Sequence, residues 1–134
     1  MVAVYQLIYA SELAADESVL AAIHSHAVRN NTARTVTGML LYANGRFLQI
    51  LEGERKDVLQ TFARIQEDNR HRNVNVILER ESEARMFSHW NMGFKQLTED
   101  ALLQSPPLRA YFERSSDTAS NDSAAALSIL SLFV

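Results

Sequence analysis

Hydrophobic positions along the chain follow two rhythms, one of period two and one of three to four, and the changes between them mark out the elements. Val2 to Ala10 alternates as a strand does, with Tyr5, Leu7 and Tyr9 on one face and Val4, Gln6 and Ile8 on the other. Asp16 stands where a helix starting near Glu17 needs a capping acceptor. Within that helix Leu20, Ile23, Ala27 and Asn31 recur at spacings of three and four, so they share a face. Thr35 to Ala43 reads as a second strand. The Asn44-Gly45 pair after it is the strongest short signal for a two-residue hairpin. Such a turn pairs Ala43 with Arg46, Tyr42 with Phe47, Leu41 with Leu48 and Leu40 with Gln49. Paired residues share a face, so Phe47, Gln49 and Leu51 sit with Gly38, Leu40 and Tyr42, and Glu52-Gly53 closes the strand.

A second helix is expected over Arg55 to Asp68, with Val58, Phe62 and Ile65 as its apolar stripe and Arg64 beside Asp68 one turn on. Val74 to Leu78 is expected as the fourth strand and Phe87 to Phe94 as the fifth, with Ser88, Trp90, Met92 and Phe94 on one face. Two βαβ units fused by a hairpin specify an α+β ferredoxin-like sandwich with a five-stranded mixed sheet. Right-handed crossovers place both helices on one face of it. The other face, carrying Val4, Ile8 and Ile50, needs a cover, and the C-terminal segment is the natural one. Thr98 caps a helix from Glu99, Pro106-Pro107 interrupts it, and Leu108 to Arg114 resumes helical character. Ser115 to Ser123 reads as a polar loop, and Ala124 to Val134 as an apolar tail with Leu127, Leu130 and Phe133 at helical spacing. The chain thus divides into a sandwich, 1–97, and a helical extension, 98–134.

Composition narrows the chemistry. The 134 residues are 47% hydrophobic and 22% charged, with a formal net charge of −3, which suits one soluble domain and gives no basic surface for nucleic acid. No cysteine is present, which removes disulfides, thiolate nucleophiles and thiolate metal sites. His24 and His26 point in different directions from one helix, and no metal-ligand motif, phosphate loop or nucleophile elbow occurs. The N-terminus lacks the pattern of a signal peptide, and the apolar tail is shorter than the roughly 20 residues of a membrane span. A cytoplasmic protein is expected.

What remains is a set of polar groups on core-facing positions: Tyr9, Asn31 and Gln49. A buried amide without partners costs about 1–3 kcal/mol. Two amides and a phenol in one layer either satisfy each other or meet a planar polar ligand, with Gly38 leaving space for a flat ring. Tyr9 within L-I-Y-A-S, Asn31 within R-N-N-T-A-R-T-V-T-G, Gln49 within F-L-Q-I-L-E-G, D-N-R-H at Asp68 to His71, and R-M-F-S-H-W-N-M-G-F at Arg85 to Phe94 resemble the BLUF family, the sensors of blue light using flavin. The resemblance spans about residues 2 to 96, and the family's fold is ferredoxin-like.

That resemblance implies noncovalent FAD or FMN between the two helices, its ring against the sheet. It implies that Asn31 bonds the pyrimidine edge of the ring. Asn30 and Arg64 would hold the ring or its ribityl-phosphate side, with Asp68, Arg70 and His71 lining the same end. Gln49 would stand between Tyr9 and the flavin. Tyr9 is then the photochemical electron and proton donor and Gln49 the relay, whose amide rotates or tautomerises. Trp90 and Met92 would contact Gln49 alternately and pass the change through the fifth strand to the C-terminal helices. The flavin ends unchanged, so a switch is expected rather than an enzyme. Its output would go to a separate signalling protein or through self-association as a homo-oligomer, with Leu127 to Val134 as a candidate interface. The sequence departs from the family at Ala27, where relatives often carry serine. Rival readings are a light-insensitive regulatory module binding an amino acid or similar effector, an acylphosphatase-like enzyme, for which Val2 to Ser11 offers no phosphate nest, and a structural oligomerisation domain.

Overall fold

A computed structural model of the chain describes residues 3–88, 92–113 and 123–134, apart from the side chains of residues 31–34 and 113. The elements run β1 (Val4–Leu13), α1 (Leu20–Arg34), β2 (Thr37–Ala43), β3 (Arg46–Gly53), α2 (Arg55–Glu67), β4 (His71–Ser82), β5 (Gly93–Gln96), α3 (Glu99–Gln104), α4 (Pro106–Glu113) and α5 (Ser123–Ser131). A single 3-10 turn, Glu17–Val19, leads into α1, and Asp16 caps it by accepting from the Ser18 N–H at 2.8 Å. The sheet order is β4-β1-β3-β2-β5, antiparallel throughout except for the parallel β2–β5 pair. This is the ferredoxin-like sandwich with a fifth strand added.

The hairpin forms in the expected register, Ala43 opposite Arg46 and Leu40 opposite Gln49. Asn44 and Gly45 both take positive φ, 53° and 78°, which a two-residue turn matching the strand twist requires. β1 and β4 run further than the alternation suggested. They pair along their whole length, from Val4 with Ser82 to Leu13 with His71, and irregularities between Ile8 and Tyr9 and between Ala10 and Glu12 absorb the mismatch. The extra β4 residues are polar because β4 is a sheet edge exposed to water.

The fifth strand is a correction. It begins at Gly93, not Phe87, and runs on to Gln96. Phe87 instead turns under the opposite face of the sheet and is buried there. Trp90 lies outside the described residues, as does the loop expected from Ser115 as far as residue 122.

The sheet is a wall between two cores. On one side Tyr5, Leu7, Tyr9, Leu40, Phe47 and Leu51 pack against Leu20 and Ile23 of α1 and Val58 and Phe62 of α2. On the other, Ile8, Met39, Leu41 and Ile50 pack against Leu102, Leu108, Phe112, Ile129 and Leu130 of the C-terminal helices. Thr98 caps α3 by accepting from Ala101 N–H at 3.2 Å, and α4 restarts at Pro106, where a helix tolerates proline. Among the described residues no helix is long and apolar enough to cross a membrane.

Candidate functional site

The two innermost strands bring Tyr9 and Gln49 together as direct partners across the β1–β3 ladder. Both side chains point to the α1/α2 side, and both are buried. The Tyr9 hydroxyl donates to Gln49 Oε1. Gln49 Nε2 donates to Met92 Sδ at 3.1 Å, and His24 on α1 holds the Met92 carbonyl through Nε2 at 2.8 Å. Tyr5 and Tyr42, on the same face, give their hydroxyls to Glu79 and Glu17, so Tyr9 is the phenol joined to the amide. Burial, and after it the nearby charge of Asp68, push the Tyr9 phenol far above its ordinary range. It holds its proton at any physiological pH.

Above this pair, between α1 and α2, lies a partly open cleft. Ile23, Leu40 and Ile65 give it apolar walls, Tyr9 and Gln49 lie at its base, and Asn30, Arg64, Asp68, Arg70 and His71 line it with polar groups. A shallower recess over Arg64, Asp68, Asn69 and Arg70 continues from it toward solvent.

At the polar end Arg70 grips Asp68 with both arms, Nε to Oδ1 at 2.9 Å and Nη2 to Oδ2 at 2.7 Å. That pairing holds the Asp68 carboxyl below its ordinary range and spends the charge of Arg70 within the protein. Asp68 therefore pairs with Arg70, not with Arg64 one turn earlier. Arg64 makes no ion pair among the described residues and is the cation left for an anionic ligand. His71 rests against Phe47 at 4.7 Å between ring centroids, and its Nδ1 meets Ser11 Oγ at 2.9 Å.

Burial lowers the His71 pKa from 6.5 to about 4. The native state thus refuses a proton that the unfolded chain accepts below pH 6.5, so stability falls as pH drops from about 6.5 to about 4, by as much as roughly 3 kcal/mol. Urea denaturation across that window is expected to show this slope in the wild type and a flatter one in His71→Gln. Equal slopes in the two proteins would take the effect away from His71.

The BLUF family, described as sensors of blue-light using FAD, matches residues 4–93. The chain belongs to the BLUF family. A photoactivated adenylate cyclase beta subunit from Euglena gracilis is 36% identical over 91 residues, which are 67% of this chain and 10% of that protein. The blue light- and temperature-regulated antirepressor BluF of Escherichia coli K12 is 36% identical over 88 residues, 64% of this chain and 22% of the antirepressor. This chain therefore spans only a small share of the curated relatives it matches. Among solved structures, a bacterial light-regulated adenylyl cyclase superposes with a TM-score of 0.74 at 30% identity, over 82% of this chain and 33% of that one. BlrB, a BLUF protein in its dark state, shares the fold over 98% of both chains with a TM-score of 0.76 at 23% identity.

Within this BLUF domain, Tyr9, Gln49, Asn30, Arg64, Asp68, Arg70 and His71 all line the one cleft. Met92 reaches it through Gln49. Asn31 falls on α1, its side chain outside the described residues, and Trp90 is outside them altogether. Gly38 corrects an expectation. A Cβ there would overlap the Ile50 carbonyl oxygen and come within 3.2 Å of Met92 Cε, so its bareness admits a neighbouring strand and Met92 rather than a ring. Ala27 lines the cleft as expected, and Ser11, His26 and Thr61 were not singled out. Ile23, His26, Ala27 and Asn30 stand at i, i+3, i+4 and i+7, as do Thr61, Arg64, Ile65 and Asp68, and that spacing is the signal that finds the missing ones. No cluster of three or more metal-ligating groups occurs among the described residues.

Proposed function

We propose that the chain is a blue-light sensor in which Tyr9 and Gln49 convert the absorption of a photon into a changed hydrogen-bond pattern around a noncovalent flavin, FAD or FMN. The observation that carries this reading is the buried Tyr9–Gln49 hydrogen bond at the base of the cleft between α1 and α2. The residues suit the cofactor. Ile23, Leu40 and Ile65 offer flat apolar contact, Asn30 and Arg64 offer an amide and a cation to hold the ring or its ribityl-phosphate side, and Asn31, whose side chain lies outside the described residues, is assigned to the pyrimidine edge. Asp68, Arg70 and His71 shape that same end. Flavin supplies blue absorption and, once excited, a strong oxidising power.

The chain supplies the rest. Tyr9 gives up an electron, which makes its O–H strongly acidic, and Gln49 Oε1 is placed to take the proton. A carboxamide both donates and accepts. Rotated or tautomerised, Gln49 offers the cofactor a different donor from the one it offered before. Met92 Sδ is a weak acceptor, so Gln49 Nε2 can leave it and later return to it. The electron and the proton return to Tyr9 by charge recombination, leaving only the amide rearranged, so no substrate is turned over. The change leaves the cleft along Met92 and Trp90 to β5. From there it enters the 98–134 extension, which serves a downstream partner protein or a second copy of the chain. Residues 1–97 are then the sensory unit. A light-insensitive regulatory module would need an effector that does not absorb, and a buried phenol–amide pair has no evident use in one.

The purified protein is expected to be yellow, with a flavin absorption band that moves to the red under blue light and returns in the dark. Gln49→Leu keeps the buried volume and removes both ends of the relay, so it is expected to bind flavin and show no red shift. A colourless protein that takes up neither FAD nor FMN would end the proposal.

A further inference from the structure

One buried charge has no part in the scheme above. Glu52 is 0% exposed and lies three residues beyond Gln49 on β3, so it points to the opposite side of the sheet. Its carboxylate accepts from Gln6 Nε2 at 2.7 Å, from the Met86 N–H at 2.7 Å and from the Phe87 N–H at 2.8 Å. Gln6 in turn accepts from Arg80 Nε at 2.7 Å. A charge out of water is costly unless fully bonded. Two of its three donors are main-chain groups of the connection between β4 and β5. Arg85, in the same connection, donates through Nη1 to the Thr35 carbonyl, Thr37 Oγ1 and the Glu52 carbonyl at 2.9, 2.9 and 3.2 Å.

That connection touches both cores. Its Phe87 is packed among the C-terminal helices, and its Met92 meets the Gln49 amide on the cleft side. The segment is tied down where it leaves the far face by Glu52 and Arg85, and at Met92 by His24. One strand therefore carries both the switching amide and the anchor of the segment that contacts it. A carboxylate bonded to main-chain N–H groups fixes the backbone itself, whereas apolar packing leaves it free to slide.

We propose that Glu52 is a positioning residue for the Gln49 switch, holding the β4–β5 connection so that Met92 engages the amide while Phe87 engages the C-terminal helices. The proposal rests on the photosensor reading and adds to it a route between the two faces of the sheet. Loosening the anchor weakens the Met92 contact that the resting amide makes, so Gln49 is drawn back to it more slowly.

The test is Glu52→Gln, which keeps the shape but sets an NH2 group against a main-chain N–H. In the pigment-free protein, hydrogen exchange at the Met86 and Phe87 amides is expected to quicken by about tenfold. In the flavin-loaded protein, thermal return of the red shift is expected to slow by a similar factor, with flavin content unchanged. Faster exchange with an unaltered return rate would make Glu52 a fold residue only and overturn the proposal, as would unaltered exchange. Should Glu52→Gln fail to accumulate, Arg85→Met loosens the same connection from a partly exposed position and answers through the same two measurements. A wild-type protein without any red shift would remove the photosensor reading itself, whatever the exchange data say.

Discussion

Replacing Tyr9 by Phe is expected to leave a folded, yellow protein that no longer responds to light. The phenol is wholly buried, stacks near Phe62 at 5.4 Å between ring centroids, and is joined to Gln49. Phenylalanine keeps the ring and its packing, so the fold survives with a loss of about 1 kcal/mol for the bond to Gln49 Oε1. It removes the O–H and with it, among the described residues, the phenol bonded to the amide. The phenols of Tyr5 and Tyr42 cannot take over through Gln49, because each is committed to a glutamate at the rim of the sandwich. Absorption spectra before and after blue illumination decide the matter. A red shift of normal size in Tyr9→Phe would take the donor role away from this residue.

Gly38→Ala is expected to damage the fold more than any exchange in the cleft. Gly38 lies near the start of β2, opposite Leu51 of β3. A methyl group there would run into the Ile50 carbonyl oxygen, which is backbone and cannot turn aside. β2 would have to move away from β3, and overpacking of this kind costs up to about 3 kcal/mol. That corresponds to a fall in Tm of roughly 10 °C for a chain of this size. Because the same methyl would press on Met92 Cε, the photocycle of any folded fraction should also change. Thermal unfolding followed by circular dichroism is the measurement, and a Tm within a degree or two of the wild type would show that the strands have slack here.

The parts of the fold that were legible in the sequence are those fixed by neighbours. Asn44-Gly45 sets the hairpin and hence the pairing of Leu40 with Gln49, because a two-residue turn leaves one register open. Alternation put Tyr9 and Gln49 on one face, but their direct pairing joins strands 40 residues apart and no local signal carries it. β4 extends beyond the alternation because an edge strand pairs through its backbone while side chains such as Arg72, Asn73 and Asn75 are polar and exposed. The run from Phe87 looked like a strand because its residues favour one. Glu52 overrides that preference by taking the main-chain N–H groups of Met86 and Phe87, which then have no ladder to join. In the cleft, helical spacing explains which positions of α1 and α2 line it, His26 and Thr61 included, but the fork between Arg70 and Asp68 depends on the tight turn after α2 rather than on helix geometry.

The direct opposition of Tyr9 and Gln49 has a consequence for how such a protein can diversify. Their separation is a property of the ladder, and a slip of one residue would send one of them to the wrong side of the wall. The cleft's flanks, by contrast, are borrowed from two helices whose side chains can be exchanged singly. On the reading proposed above, the helix-borne lining can change residue by residue, while the phenol–amide spacing across which the proton would move is inherited unchanged from the scaffold.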